Sequence, residues 1–370
     1  MDFNFTPEQD MLRDTAARFF TDHYDFAQRQ AACRSQAGWR PEIWRMLAQD
    51  LGIFGASFSE DLGGLGGGAI ENMIVMEEIG KALVVEPYLD TVVIGGGLLR
   101  RAGGAAAAAL IQRIISGDVR LAFAHLEPDC RYDLAEIGLR AVAEGGHWRL
   151  SGVKDAVAGA PFASHLIVTG RVAGGQRDRD GIGVFLVRAD DAGLAIRDYA
   201  TVDGTRAADI RFDGALAQPL GEPGTDFALL EAATDDGVAA LCAEALGVMR
   251  RLLADTLAYA KERKQFGAPI GSNQALQHRM ADMYVALEQA VSMTYVAAMM
   301  LERPAADRIR AVSAAKVYVG KAARFVGQSA IQIHGGMGMT DELAVSHYFK
   351  RAAMIEHQLG GVDYHLARME

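Results

Sequence analysis

The sequence predicts an α+β chain built in three successive blocks: helices, then antiparallel strands, then long helices again. Three observations lead there. Apolar residues recur at helical spacing over residues 1–118. Short apolar runs alternate with Gly, Asp and Arg turns over residues 119–224. Helical spacing then returns over residues 225–370, where proline is scarce and Pro269 and Pro304 mark interruptions. Elements grouped by type, rather than strand alternating with helix, exclude a doubly wound parallel sheet. With 370 residues, 50% of them hydrophobic, the chain is long enough for two or three domains.

The first block opens on a helix start. Thr6 can cap, Pro7 suits the first turn, and Gln9 can reach back to the cap. Met11, Leu12, Ala16, Phe19 and Phe20 follow at helical spacing. Glycine-rich stretches at Leu62–Gly68 and Gly95–Gly97 read as loops, with a helix over Ile70–Leu83 between them. In the second block, Leu121–Ala124, Leu166–Thr169 and Gly183–Val187 read as strands, and Ala173–Gly181 as an exposed turn. In the third, Leu241, Ala245, Met249, Leu252, Leu253 and Thr256 trace one face of a helix.

Composition narrows the function. A formal net charge of -10 argues against general nucleic-acid binding, which needs Lys and Arg to replace phosphate counterions. Cys33, Cys130 and Cys242 are far apart and form no CxxC pair, so neither a disulfide framework nor a zinc site is expected and a reducing cytoplasm fits. The acidic opening Met1–Asp10 has no apolar signal core. No stretch of about 18 residues is apolar and charge-free, so no membrane span is expected.

Two segments carry candidate chemistry. Tyr259–Gly267 brings together the guanidinium of Arg263, the amide of Gln265 and the ring of Phe266 just before a glycine turn. Such a set can hold a pyrophosphate and pack on an adenine or flavin; a charged helix end with an anchoring Phe reads the same way. Gln332–Thr340 places Gly335, Gly336 and Gly338 after a helix, where a phosphate or ligand backbone can come close; a flexible helix end is the alternative. His334 reads as a packed residue rather than a catalytic one.

At this point the chain resembles the acyl-CoA dehydrogenases, over nearly its whole length. The matches run in order: Phe5–Gln9; Glu60–Gly66 with Glu77–Gly80; Phe123–Pro128; Tyr259–Gly267; and Gln332–Gly338. Within that family it is most similar to the small subunit of pimeloyl-CoA dehydrogenase-like enzymes, through Gln176–Gly181, Ala239–Ala245 and Gly336–Val345. The resemblance implies an N-terminal helical domain, a central antiparallel β domain and a C-terminal four-helix bundle, assembled as a homotetramer or an α2β2 heterotetramer. It implies FAD as cofactor, contacted by Phe123 and Leu126 and, in a neighbouring subunit, by Arg263, Gln265, Phe266, Gln332, Gly335 and Gly336. The implied reaction is α,β-desaturation of an acyl-CoA thioester: a carboxylate removes the α proton, a hydride passes to FAD, and electron-transfer flavoprotein takes the electrons.

The sequence departs from the family at positions that matter. Where the base is often a Glu near the C-terminus, this chain has Gly360, and Val362 stands where a Thr is usual. Other members place the base on the first bundle helix, which makes Asp236 the candidate here, with Glu244 and Glu356 behind it. Asp235 and Asp236 read equally as caps of a helix starting there. In the β domain, Leu126, Arg131-Tyr132-Asp133 and Ala156-Val157-Ala158 replace residues that contact flavin or thioester. These losses point to a degenerate flavin pocket in one chain of a heterotetramer, completing FAD sites on a homologous partner. A flavin monooxygenase or oxidase on the same fold is a further alternative. The pimeloyl likeness points to a dicarboxylyl or other bulky acyl-CoA, with Arg131 as a possible partner for a distal carboxylate.

Overall fold

A computed structural model describes residues 4–128 and 130–370; the first three residues of the acidic opening stretch lie outside it, as does position 129. The chain divides into two compact units, one made of residues 1–31, 69–84 and 238–370, the other of residues 32–68 and 85–237.

The first unit is helical. It contains α1 (Pro7–His23), most of α2 (Phe26–Arg34) and α4 (Ala69–Ala82). It also holds the greater part of α7 (Phe227–Glu262), then α8 (Gln274–Met300), α9 (Ala305–His334), α10 (Ala344–His357) and α11 (Val362–Arg368). The capping box expected at Thr6 is present: Gln9 N–H donates to the Thr6 hydroxyl and Thr6 N–H to the Gln9 amide oxygen. The stripe Leu241, Ala245, Met249, Leu252, Leu253 and Thr256 is buried throughout. Helices α4 and α7 meet backbone to backbone. A Cβ on Gly80 would lie 2.1 Å from the Glu244 carbonyl oxygen, and one on Gly247 2.0 Å from that of Glu77.

The second unit contains α3 (Pro41–Gln49), α5 (Gly96–Ala102), α6 (Gly104–Ile115) and a seven-stranded sheet. The strands are β1 (Leu121–Ala124), β2 (Arg140–Glu144), β3 (His147–Ala158), β4 (His165–Arg171), β5 (Ile182–Arg188), β6 (Leu194–Ala200) and β7 (Arg206–Pro219). They run β1-β4-β2-β3-β7-β5 with β6 on β7, and β4 also pairs β5, so the ladder closes on itself. Leu150, Leu166, Val168, Phe185, Val187, Ile210 and Phe212 fill its interior. Most pairings are antiparallel as expected, but β1 and β2 each pair β4 in parallel.

Two local expectations fail here. Gly95–Gly97 is not a loop: a π-helical segment, Leu89–Gly95, runs straight into α5. Each glycine is there for close packing. A Cβ would meet Leu121 Cδ1 at 2.4 Å from Gly95, Phe58 Cζ at 2.5 Å from Gly96, and Asp236 Oδ2 at 2.5 Å from Gly97. Nor do Asp235 and Asp236 cap a helix, because α7 begins at Phe227 and both lie inside it, buried.

Candidate functional site

Arg263, Gln265 and Phe266 stand where α7 gives way to a minimal hairpin, β8 (Lys264–Gln265) and β9 (Ala268–Pro269). The turn residues Phe266 and Gly267 have φ of 54° and 86°. Two successive positive φ values suit a two-residue hairpin, but a phenylalanine adopts that conformation only at a cost. Its ring is fully exposed. The Arg263 guanidinium has no partner among the described residues, and the Gln265 amide donates only to the neighbouring Lys264 carbonyl.

Gln332, Gly335 and Gly336 lie at the far end of α9, all exposed. A Cβ on either glycine would meet nothing within 4 Å, so packing does not demand glycine there, although the backbone does at Gly335, where α9 ends with φ of 62° and ψ of -140°. The open surface lets another molecule approach the backbone. The two groups converge. Tyr259, one helical turn before Arg263, stacks on His334 with ring centroids 4.3 Å apart, and its hydroxyl donates to the His334 carbonyl at 3.4 Å. His334 is buried and bonded through Nδ1 to Ala330 O at 2.8 Å, a packed residue as expected. One end of the bundle thus presents a guanidinium, an amide, a ring and a bare glycine backbone. That donor set fits the phosphates and aromatic rings of a dinucleotide.

The three candidate carboxylates tell the opposite story: each is buried and gripped by an arginine. Asp236 takes both terminal nitrogens of Arg101, with Nη2–Oδ1 at 2.9 Å, while Arg101 Nη1 also donates to Gly97 O. Glu244 takes Arg351 Nε at 2.5 Å and Nη2 at 2.7 Å. Glu356 takes Arg324 Nε at 2.9 Å and Nη2 through its other oxygen. Each guanidinium occupies both carboxylate oxygens, so neither is open to a substrate proton as a base requires. Asp236, the expected base, therefore sits in an arginine clamp, with both its oxygens already taken.

Position 360 offers no substitute. Gly360 has φ of 110°, and a Cβ there would lie 2.5 Å from Tyr364 Cδ1 and 2.6 Å from His365 Nε2. The turn before it is held from below. His365 Nε2 lies 3.0 Å from Leu359 O, and Lys316 Nζ donates to the carbonyls of Ile355 and Glu356. A carbonyl only accepts, so Nε2 carries the proton of a neutral ring, and Nδ1 is left to accept from Ser313 Oγ at 3.2 Å. Burial, helped by the Lys316 charge, pushes His365 down to about 3.

Phe123 and Leu126, the cofactor contacts expected in the β domain, flank the end of β1. Phe123 is buried beneath His125, their rings stacked at 4.3 Å, so its own side chain is covered. Burial drives His125 down to about 4, leaving it neutral near pH 7. Leu126 is half-buried, and its N–H has no acceptor among the described residues. A half-buried amide without a partner fits a ligand that brings an acceptor. The segment is anchored by Lys154, which the sequence motifs did not single out. The three arginine clamps were missed as well; their residues stand 135, 107 and 32 positions apart.

Residues 6–118, 122–215 and 227–368 match the N-terminal, middle and C-terminal domain models of acyl-CoA dehydrogenase. The probable acyl-CoA dehydrogenase YngJ of Bacillus subtilis (strain 168) is 30% identical over 371 residues, covering 96% of this chain and 95% of the relative. A variant of the Tcur3481-Tcur3483 steroid ACAD superposes with a TM-score of 0.89 at 31% identity, covering 98% of this chain and 96% of the other. The ChsE4-ChsE5 complex from Mycobacterium tuberculosis does so with 0.89 at 28% identity, covering 100% and 98%.

Proposed function

Since the chain belongs to the acyl-CoA dehydrogenase family, an oxidoreductase family whose cofactor is FAD, we propose that it works as one subunit of a two-chain acyl-CoA dehydrogenase whose catalytic base comes from a homologous partner. The observation that carries this reading is the set of three arginine-clamped carboxylates together with a glycine at position 360, where a side chain would crowd Tyr364 and His365. The chain then contributes binding: Arg263, Gln265, Phe266, Gln332, Gly335 and Gly336 grip the pyrophosphate end of FAD in a neighbouring subunit. Bound FAD supplies the hydride acceptor for α,β-desaturation of an acyl-CoA thioester, and electron-transfer flavoprotein takes the electrons onward. Two-protein assembly in the Tcur3481-Tcur3483 and ChsE4-ChsE5 neighbours supports the arrangement, and the first of these, a steroid ACAD, supports a bulky acyl group.

The test is anaerobic flavin bleaching by acyl-CoA, with the chain alone and with a co-expressed homologous subunit. The reading expects bleaching only in the pair, and no change with Asp236→Asn. Bleaching by the chain alone, abolished by Asp236→Asn, would instead make Asp236 the base, with Arg101 yielding on substrate binding.

A further inference from the structure

We propose that Lys154 is a positioning residue for FAD: its buried ammonium fixes the backbone of residues 125–127 so that the N–H of Leu126 is held ready to donate to the flavin. The inference rests on FAD being the cofactor, and goes further by giving this chain's own β domain an occupied flavin contact.

Lys154 is fully buried. Its Nζ donates to Glu127 Oε1 at 2.7 Å, to Thr169 Oγ1 at 2.8 Å and to His125 O at 3.3 Å. The next residue continues the grip, Asp155 N–H donating to Leu126 O at 2.9 Å. That bond forms where β3 slips register against β7 between Lys154 and Val157, with Ala156 at φ of 50°. Bulges of this kind re-aim backbone beside functional sites. Glu127 is fixed in turn, accepting from Gly138 N at 2.7 Å and Leu139 N at 3.1 Å. Residues 125, 126 and 127 each have an oxygen held by residue 154 or 155. The Leu126 N–H is the donor left over among the described residues.

A buried lysine is an expensive way to fill space. Burial pulls its proton affinity down and Glu127 restores only part of it, and a methionine of similar volume would pack without that cost. What methionine cannot do is hold three oxygens, two from residues 125–127 and one from Thr169 on β4. Leu126 and Ala158 carry no polar side-chain atom, so a flavin contact here falls to the backbone, and a backbone donor is effective only where it is held in place.

The experiment uses the full chain, alone and co-purified with a homologous subunit. FAD is the probe, followed by quenching of flavin fluorescence and by hydrogen exchange of the peptide covering residues 124–128. In the wild type, FAD should slow exchange in that peptide. Lys154→Met should weaken FAD binding by about tenfold or more, the loss of roughly one well-placed hydrogen bond. Because Lys154→Met leaves the Glu127 charge buried, the double variant Lys154→Met/Glu127→Gln is measured beside it. The double variant should unfold like the wild type yet show neither tight FAD binding nor FAD-dependent protection. A double variant that binds and protects like the wild type means Lys154 serves folding alone, and overturns the proposal. Loss of FAD in Arg263→Ala with no change in either Lys154 variant overturns it while leaving the proposed function standing. A wild type that takes up no FAD in any of these preparations overturns both.

Discussion

The end of α7 and the middle of the same bundle use similar side chains in opposite ways. At the end, Arg263, Gln265, Phe266 and Gln332 reach outward, and among the described residues their side chains have no partner beyond the Lys264 carbonyl that Gln265 meets. In the middle, Glu244 and Arg351 close on each other out of solvent. The contrast separates two kinds of polar residue: one satisfied by its own chain and needed for folding, the other unsatisfied and offered to another molecule. Polar groups that a folded chain leaves open are where binding is to be sought; buried groups paired this tightly are where stability is concentrated.

The strongest way to break that comparison is to open a clamp. Arg351→Met leaves the Glu244 carboxylate buried without its cation, and unfolding in urea should show a loss of about 3–5 kcal/mol. The double change Arg351→Met/Glu244→Leu should recover most of it. If the single change costs little, Glu244 was never locked and returns as a candidate base.

A pH titration sharpens the same point through two neutral rings, one buried and one half-buried. His125 and His365 lie at about 4 and about 3 in the folded chain, against an ordinary value of 6.5. A folded value below the unfolded one means that the unfolded chain binds more protons over the interval between them. Stability is therefore fully present above pH 6.5 and falls as pH drops toward 4, by roughly 1.4 kcal/mol per pH unit for each histidine. His125→Gln should flatten part of that slope in denaturation curves taken between pH 7 and pH 5.

Much of this architecture is legible in the sequence, and the parts that are not share a physical cause. The Thr6–Gln9 capping box, α4 and the buried stripe of α7 are local patterns, set by residues within a few turns of each other. Gly95–Gly97 misleads because glycine marks either a turn or a tight contact, and here Phe58, Leu121 and Asp236 press on it from distant segments. Asp236 misleads for the same reason: its acidic pair suggests a helix start, while the partner that holds its carboxylate, Arg101, is 135 residues away. The hairpin at Arg263–Phe266 and the glycines after α9 were visible as motifs. Their convergence was implied by the resemblance, which assigns both to one FAD; the Tyr259–His334 stack that joins them was not visible.

A glycine and a phenylalanine give the two smaller tests. Gly360→Glu places a carboxylate where the family often has its base. With φ at 110° and Tyr364 and His365 in the way, it should cost about 1–3 kcal/mol in thermal unfolding without restoring turnover by the chain alone. Activity gained there would mean that the turn relaxes, and that the missing base alone separates this chain from a self-sufficient enzyme.

Phe266→Ala should move stability least, within about 0.5 kcal/mol, because the ring touches solvent rather than core. Removing a bulky side chain from a positive-φ position relieves some steric crowding and works against any loss. A near-silent melting curve combined with poor FAD retention in the assembled oligomer would identify a ring kept for another molecule. If FAD retention is unaffected, the outward face of this bundle end binds something other than a dinucleotide, and Arg263 and Gln332 need a different ligand. A large drop in stability would show that the ring packs against a part of its own chain, and the distinction between open and satisfied polar ends would lose its clearest example.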